Sequence, residues 1–343
     1  FHGREVELDM AVKTLAQTSS RVAILGGGGM GKTSLARAIL HHPDIVAGYE
    51  NRVFVDTESA TNRLKLAEVV GACVRLKPEK DLTRSVVQHF SGGPSCLLIL
   101  DNLETSWEPK ASRSGVEDFL SLLSEVSHLA LVITMRGAER PAKVRWTKPF
   151  LPPLERLSDS AARQTFIDIA DDLHNSDDMD QLLQLADNMP LAVELVAHLV
   201  DYEGCSNVRA RWDKEKISLL SGGYDKTSNI SASIEISLSS PRIASSPKSA
   251  ILLSLLSILP DGLSDNQLAQ INVPISDIMA CKSVLLATSL AYLDNAKRLK
   301  SLSPIREHMQ LFHKPTTEII RPIRAHLHSL LGLYQKYFGT AEM

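Results

Sequence analysis

The residues with the most definite chemistry lie in one stretch, Arg21 to Leu40, RVAILGGGGMGKTSLARAIL. Within it, Gly26-x-x-x-x-Gly31-Lys32-Thr33 fits the phosphate-binding P-loop pattern at every fixed position. The chemistry accounts for the residue types. A triphosphate is gripped by backbone N–H groups, so the cradle of Gly26, Gly28, Gly29, Met30 and Gly31 must come close with few Cβ atoms in the way. Lys32 would reach the β- and γ-phosphates, and the Thr33 hydroxyl would bind Mg2+. Ser34 lies in the first turn of the following helix, whose positive end points at the phosphates. A flexible glycine linker is the plain alternative. The apolar, partly β-branched run before the glycines and the helical spacing after them argue for strand, loop and helix instead.

A second anchor is Ser95 to Asn102, SCLLILDN. An apolar run ending in an acid is the pattern of a buried parallel strand that delivers a carboxylate to its C-terminal edge. Downstream of a P-loop it reads as the Walker-B strand, with Asp101 holding Mg2+ through water. The next position is Asn102, which cannot take a proton, where a fast ATPase often has a second acid. Glu104 is the nearest carboxylate and is a candidate water-positioning base, against the reading of a solvated loop acid. With Lys32 and Asp101 it completes the catalytic candidates. Leu129 to Thr134, LALVIT, reads as a further buried strand, and Arg136 just beyond it could sense a γ-phosphate or form a structural ion pair.

These residues need elements to hold them. Arg52 to Asp56 reads as a strand and Leu64 to Leu76 as a helix. Pro149, Pro152 and Pro153 punctuate the chain and place a boundary near residue 150. From Leu157 to Leu220 the spacing is helical. Ser158-Asp159 starts one helix and Asn188-Met189-Pro190-Leu191-Ala192 opens another, with proline tolerated in the first turn. Five acids, Asp171, Asp172, Asp177, Asp178 and Asp180, lie in a stretch without Lys or Arg and read as a solvated face. Ser221-Gly222-Gly223 reads as a break. After it come helices at Ile251 to Leu259, from Ser264-Asp265, and at Ile278 to Thr288. A hairpin follows, with strands Leu290 to Leu293 and Arg298 to Leu302 around Asp294-Asn295-Ala296. Helices followed by a hairpin suggest a winged helix. Its Arg242, Lys248, Lys282, Lys297, Arg298, Lys300 and Arg306 are nearly balanced by Glu235, Asp261, Asp265, Asp277, Asp294 and Glu307. That balance speaks against a nucleic-acid partner. The segment Thr316 to Phe338 is helical, with Leu327, Leu330, Leu331 and Tyr334 on one face. The expected architecture is an α/β P-loop parallel sheet (1–150), a helical domain (151–225), a winged-helix domain (226–312) and the start of a further helical region (313–343).

Composition sets the outer bounds. The 343 residues suffice for two or three domains, and the net charge of −3 gives no global basic field for nucleic acid or anionic membrane. Cys73, Cys96, Cys205 and Cys281 form no CxxC pair, which argues for a reducing, cytoplasmic setting and against a disulfide frame or zinc site. No apolar run approaches the roughly 18 residues of a membrane span. The chain opens on Phe1 rather than Met, as expected of a piece of something longer.

In this order, these motifs resemble the nucleotide-binding core of the STAND class of P-loop NTPases, of NB-ARC/NACHT-like type. Phe1-His2-Gly3-Arg4-Glu5 is similar to the class's "hhGRE" signature. The P-loop, LLILDN and ITMRG match in spacing, and Asn188-Met189-Pro190-Leu191-Ala192 is similar to "GLPLA". FHGREVEL, LLILDNLETSWEP and VITMRGAERP look most like NLR-like proteins of mushroom-forming fungi. The resemblance implies an ATP/ADP switch with Mg2+, closed with ADP and self-associating with ATP. Effector and sensor domains would lie outside this chain, and the output would be defence, self/non-self recognition or cell death. It implies that Arg4 fixes the nucleotide near the adenine end, that Pro190 packs on the base and that Arg136 is the sensor. Where the class often has "MHD", the sequence reads Leu302-Ser303-Pro304-Ile305-Arg306-Glu307-His308. Ser303 is the first candidate for the β-phosphate contact and His308 the second. An AAA+-type ATPase or a winged-helix DNA-binding regulator is the alternative, and a P-loop scaffold that binds little is a third.

Overall fold

A computed structural model describes the chain apart from residues 1, 18, 78, 172–175, 221–228 and 338–343. Phe1, Asp172, the break at Ser221-Gly222-Gly223, the side chain of Tyr334 and Phe338 lie outside the described residues.

Four strands, β1 (Arg21–Gly26), β2 (Asn51–Asp56), β3 (Cys96–Asp101) and β4 (Leu129–Arg136), form one parallel sheet in the order β1-β4-β3-β2. They are the four runs expected from the sequence. Their near-continuous hydrophobicity follows from burial on both faces. Val22, Ile24, Leu97, Ile99, Ala130 and Val132 face one core, while Ala23, Leu25, Leu98, Leu100, Leu131 and Ile133 face the other. The alternation is the period-two signature of a strand. Register does the positioning. Gly26 pairs with Arg136 and Asp56 with Asp101, so the glycine loop, the candidate sensor and the candidate metal ligand emerge on one C-terminal edge. Leu154 extends this edge by bridging in parallel to Gly26.

The helix Lys32–His41 packs Leu35 and Ile39 on the first face, and helices Arg63–Cys73, Leu82–Gly92 and Lys110–Ser124 cover the second. The latter two were not anticipated. Each buries a narrow stripe, Val86 and Phe90 in one and Val116, Phe119, Leu120 and Leu123 in the other. Nearby Ser and Gly residues mask both stripes in the sequence.

The sheet domain is followed by helices Asp159–Ala170, Ser176–Ala186, Pro190–Glu203 and Cys205–Glu215, and then by a winged helix. The Ser158 hydroxyl caps the first of these by accepting from the Ala161 N–H at 3.2 Å. The acidic stretch is partnered rather than merely solvated. Arg163 pairs with Asp180, Arg209 with Asp178 at 3.0 Å, and Arg156 with Asp187, all from neighbouring segments. In the winged helix, Ser264 and Gln267 form a capping box at the start of Asp265–Gln270. The hairpin strands β5 (Tyr292–Leu293) and β6 (Leu299–Lys300) are shorter than expected. Pro304 in the first turn of Ser303–Phe312 ends the second strand early. In the helix Thr317–Tyr337, Leu327, Leu330 and Leu331 are exposed.

The first core does not stop at the sheet. It runs from Leu35 and Ile39 through Phe166, Val196 and Trp212 to Leu256, Leu285 and Met309. A continuous core couples the sheet, the helices that follow it and the winged helix in one cooperative unit. Phe166, 0 % exposed, is therefore expected to cost about 3–5 kcal/mol when cut to Ala. The loss should lower a single melting transition monitored at both ends of the chain. Two separated transitions in the wild type would contradict this coupling.

Candidate functional site

The site is built where β1 turns into the helix Lys32–His41. Gly31 stands at φ 82° as the residue before this helix, a left-handed conformation that suits glycine. A Cβ on Gly28 would come within 2.5 Å of Arg136 Nη1 and 2.8 Å of Ser233 Oγ. Glycine here lets a guanidinium and a hydroxyl from two distant segments close on the loop. Lys32 is buried, and its Nζ donates to the Gly27 carbonyl at 2.6 Å. Met30 is buried and Ser34 exposed.

Asp101 ends β3 with 2 % exposure. Its carboxylate accepts from Thr33 Oγ1 at 2.9 Å, Thr134 Oγ1 at 2.5 Å and Asn102 Nδ2 at 3.2 Å. These partners are all neutral donors. A buried carboxylate beside a hydroxyl is an all-oxygen donor set of the kind Mg2+ takes, so Thr33 and Asp101 fit the ion. Asn102 adopts φ 62° and also reaches Asp56 at 3.2 Å, while its N–H donates to Thr134 Oγ1 at 3.0 Å. It braces the edge of the sheet. Thr134 was missed as a functional candidate, although a lone hydroxyl at the end of LALVIT was the available signal.

Arg136, at the end of β4, joins the sheet to a distant helix. Its Nε lies 3.3 Å from Glu104 Oε1, and both side chains are 12 % exposed. Its backbone N–H donates to Glu104 Oε2 at 3.3 Å. Its Nη1 donates to the Ser233 carbonyl at 2.8 Å and Ser237 Oγ at 2.7 Å, both on the helix Ile230–Leu238. Arg136 thus forms an ion pair and also stands against the glycine loop. Glu104 is spent on that pair. Ser233 and Ser237 lie in a part of the chain where no motif signals them.

Beside this pair sits Glu108. Burial is the main cause that pushes its carboxyl up to about 7, opposed by the Arg242 guanidinium and reinforced by Glu104. Arg242 Nε is 3.7 Å from Glu108 Oε1 and the same side chain pairs with Glu139 at 2.8 Å.

The remaining candidates are placed as follows. Arg4, buried, donates from Nη2 to the Met30 carbonyl at 3.2 Å and to the Glu155 carbonyl, and pairs with Glu7 at 3.2 Å. It ties the glycine loop to the segment after residue 150. Pro190 occupies the first turn of Pro190–Glu203, and the Leu191 N–H beside it donates to the Gly29 carbonyl at 3.1 Å. Ser303 is held elsewhere. Its N–H donates to Asp187 and its Oγ accepts from Arg306 Nη2 at 3.1 Å. His308 is 1 % exposed and faces Glu235 at 2.7 Å; burial is the main cause holding its imidazole below the ordinary range.

With this geometry established, the likenesses to known proteins fall into place. A family model described as Novel STAND NTPase 1 matches residues 1–145. The Walker-type ATPase PABY2304 of Pyrococcus abyssi shares the fold with a TM-score of 0.64 at 13 % identity, over 90 % of this chain and 96 % of that one. The chain has a P-loop NTPase fold. The Aeropyrum pernix ORC2 protein, solved in ADPNP–ADP complexes, gives a TM-score of 0.54 at 14 % identity over 95 % of each chain. No curated protein sequence matches. Among its described residues, the chain contains no helix long and apolar enough to cross a membrane.

The raised carboxyl of Glu108 makes a pH prediction. The folded chain holds this proton more tightly than the unfolded chain. The stabilisation is therefore full below the ordinary value of 4.5 and is lost as pH rises through about 7. Between about pH 5 and pH 8, wild type should lose about 2 kcal/mol relative to Glu108→Gln in denaturant melts. A pH-independent gap between the two would contradict it.

Proposed function

We propose that the chain is the nucleotide-driven switch of a multidomain signalling receptor, resting with ADP and opening with ATP. Effector and sensor domains beyond residues 1–343 would receive and transmit its signal. The observation that carries this reading is the double engagement of Arg136, which stands at Gly28 of the phosphate loop and grips Ser233 and Ser237 of the helix Ile230–Leu238.

Lys32 and the loop N–H groups bind the phosphates; Thr33 and Asp101 would hold Mg2+, which neutralises phosphate charge. Arg136 then has two competing partners. With a β-phosphate as the last charge, it stays on the helix and Glu104. A γ-phosphate draws its guanidinium away and weakens the helix contact. A ligand shifts a two-state equilibrium only by its differential affinity for the two states. Here the difference comes from Lys32 and Arg136. Opening would free a nucleotide-binding face for self-association. We place the domain boundaries at 150/151, 225/226 and 312/313, with Arg4 and Pro190 holding the helical domain against the loop. The motif wording supports a defence, self/non-self or cell-death role of NLR-like type, in the cytoplasm.

Slow turnover suits a timer. Asn102 cannot act as a base and Glu104 is neutralised by Arg136, so hydrolysis is expected on the order of 10⁻³ s⁻¹, the scale of unassisted P-loop chemistry. The fold shared with the ORC2 protein favours the AAA+ alternative, including a winged helix on DNA. Against DNA, Lys282 pairs with Asp265, Lys300 with Asp294, and Arg298 with the carbonyls of Asp261 and Gly262. Salt-dependent DNA binding at micromolar protein would favour that alternative.

Two measurements check the switch. Chain purified without added nucleotide and then denatured should release ADP in equal amount. Lys32→Ala should weaken ADP and ATP binding by about 10–100-fold in equilibrium titrations. An empty wild-type site together with unchanged affinity in Lys32→Ala would overturn the reading.

A further inference from the structure

The helix Ile230–Leu238 has a second set of partners. Glu235 Oε1 lies 2.7 Å from His308 Nε2 and 2.9 Å from His313 Nε2. The three ligand atoms all fall within 4.8 Å of one another. His308 sits in the helix Ser303–Phe312 and His313 is its C-terminal cap. The imidazoles come from a segment 73 and 78 residues away from the carboxylate. The chain thus aims two imidazole nitrogens and one carboxylate at a single point.

We propose that Glu235, His308 and His313 bind a divalent transition metal ion of the Zn2+ class, which clips the helix Ile230–Leu238 to the helix Ser303–Phe312. Two imidazoles and a carboxylate are a borderline donor set that suits Zn2+ and its first-row neighbours rather than Mg2+ or Ca2+. In a tetrahedral site with bonds near 2.0–2.1 Å, ligand atoms stand about 3.3 Å apart, so the Glu235 carboxylate must draw back from each imidazole by about half an ångström. It has room to do so. The Glu235 and His313 side chains are 49 % and 43 % exposed, and His308 provides the fixed wall. The solvent side leaves a fourth position for water. His308 Nδ1 is buried without a hydrogen-bond partner. The outer contact that strengthens an imidazole ligand is therefore missing, which weakens the site relative to one that has it.

The cysteine pattern that argues against a zinc site has no bearing on a His/Glu site. Metal binding here also stands independently of the nucleotide reading. Its consequence is local: the clipped helix is the one that supplies Ser233 and Ser237 to Arg136, so the ion would reinforce the closed arrangement.

The test uses the whole chain, stripped with a chelator and free of nucleotide. ZnCl2 is titrated against a chromogenic chelator, and the metal retained after desalting is counted. The expected result is one Zn2+ per chain, a rise in melting temperature on loading, and a visible d–d spectrum when Co2+ replaces Zn2+. His313→Gln and Glu235→Gln alter exposed side chains and leave the fold intact by circular dichroism. Each should weaken Zn2+ by about tenfold or more and abolish the thermal shift, whereas the exposed His198→Gln should change neither. Failure to retain Zn2+ at about 100 μM would overturn the proposal, as would binding that both His313→Gln and Glu235→Gln leave unchanged.

Discussion

The charge on Arg136 is the constraint around which the chain is arranged. At 12 % exposure it cannot rely on water, and the groups that satisfy it come from two places. Glu104 supplies the opposite charge from the sheet domain, while Ser233 and Ser237 supply oxygen acceptors from a helix almost a hundred residues later. Breaking such a pair from one side leaves a buried charge unmatched, which costs far more than the intact pair contributes. Any ligand that competes for this guanidinium therefore acts on the position of that helix. In the proposed switch, sensor and latch are one side chain rather than separate devices.

The sheet makes this possible. Parallel register sets Gly26 beside Arg136 and Asp56 beside Asp101, so strands with different roles present their ends together. Asp101 is held by Thr33, Thr134 and Asn102. Neutral donors fix its direction while leaving its negative charge available to a cation. Arg4 and the Leu191 N–H secure the loop from the other side through the carbonyls of Met30 and Gly29. These two contacts engage the loop through backbone oxygens and do not use its N–H groups.

The sheet, the loop and the Asp101 strand were legible in the sequence because their chemistry demands particular residues at fixed spacing. Gly31, Lys32, Thr33 and Asp101 admit few substitutes. The hairpin and most helical segments followed from periodicity and turn residues, but the helices Leu82–Gly92 and Lys110–Ser124 did not. What could not be read depends on long-range packing. Ser233 and Ser237 are ordinary helical serines until the fold places them against Arg136. The acids between Asp168 and Asp187 look solvated because their arginine partners, Arg156, Arg163 and Arg209, sit outside the stretch. Ser303 and His308 were chosen by analogy of position. Their contacts here are Asp187 and Arg306 for the one and Glu235 for the other. The Glu235–His308–His313 cluster joins segments too far apart for any spacing rule to detect.

The most direct measurement of the account is amide hydrogen exchange across Ile230–Leu238 with ADP bound and with a non-hydrolysable ATP analogue bound. If Arg136 is both sensor and latch, this helix should be protected with ADP and exchange markedly faster with the analogue. In Arg136→Ala it should exchange fast with either nucleotide. Equal protection of the wild-type helix in the two nucleotide states would contradict the account.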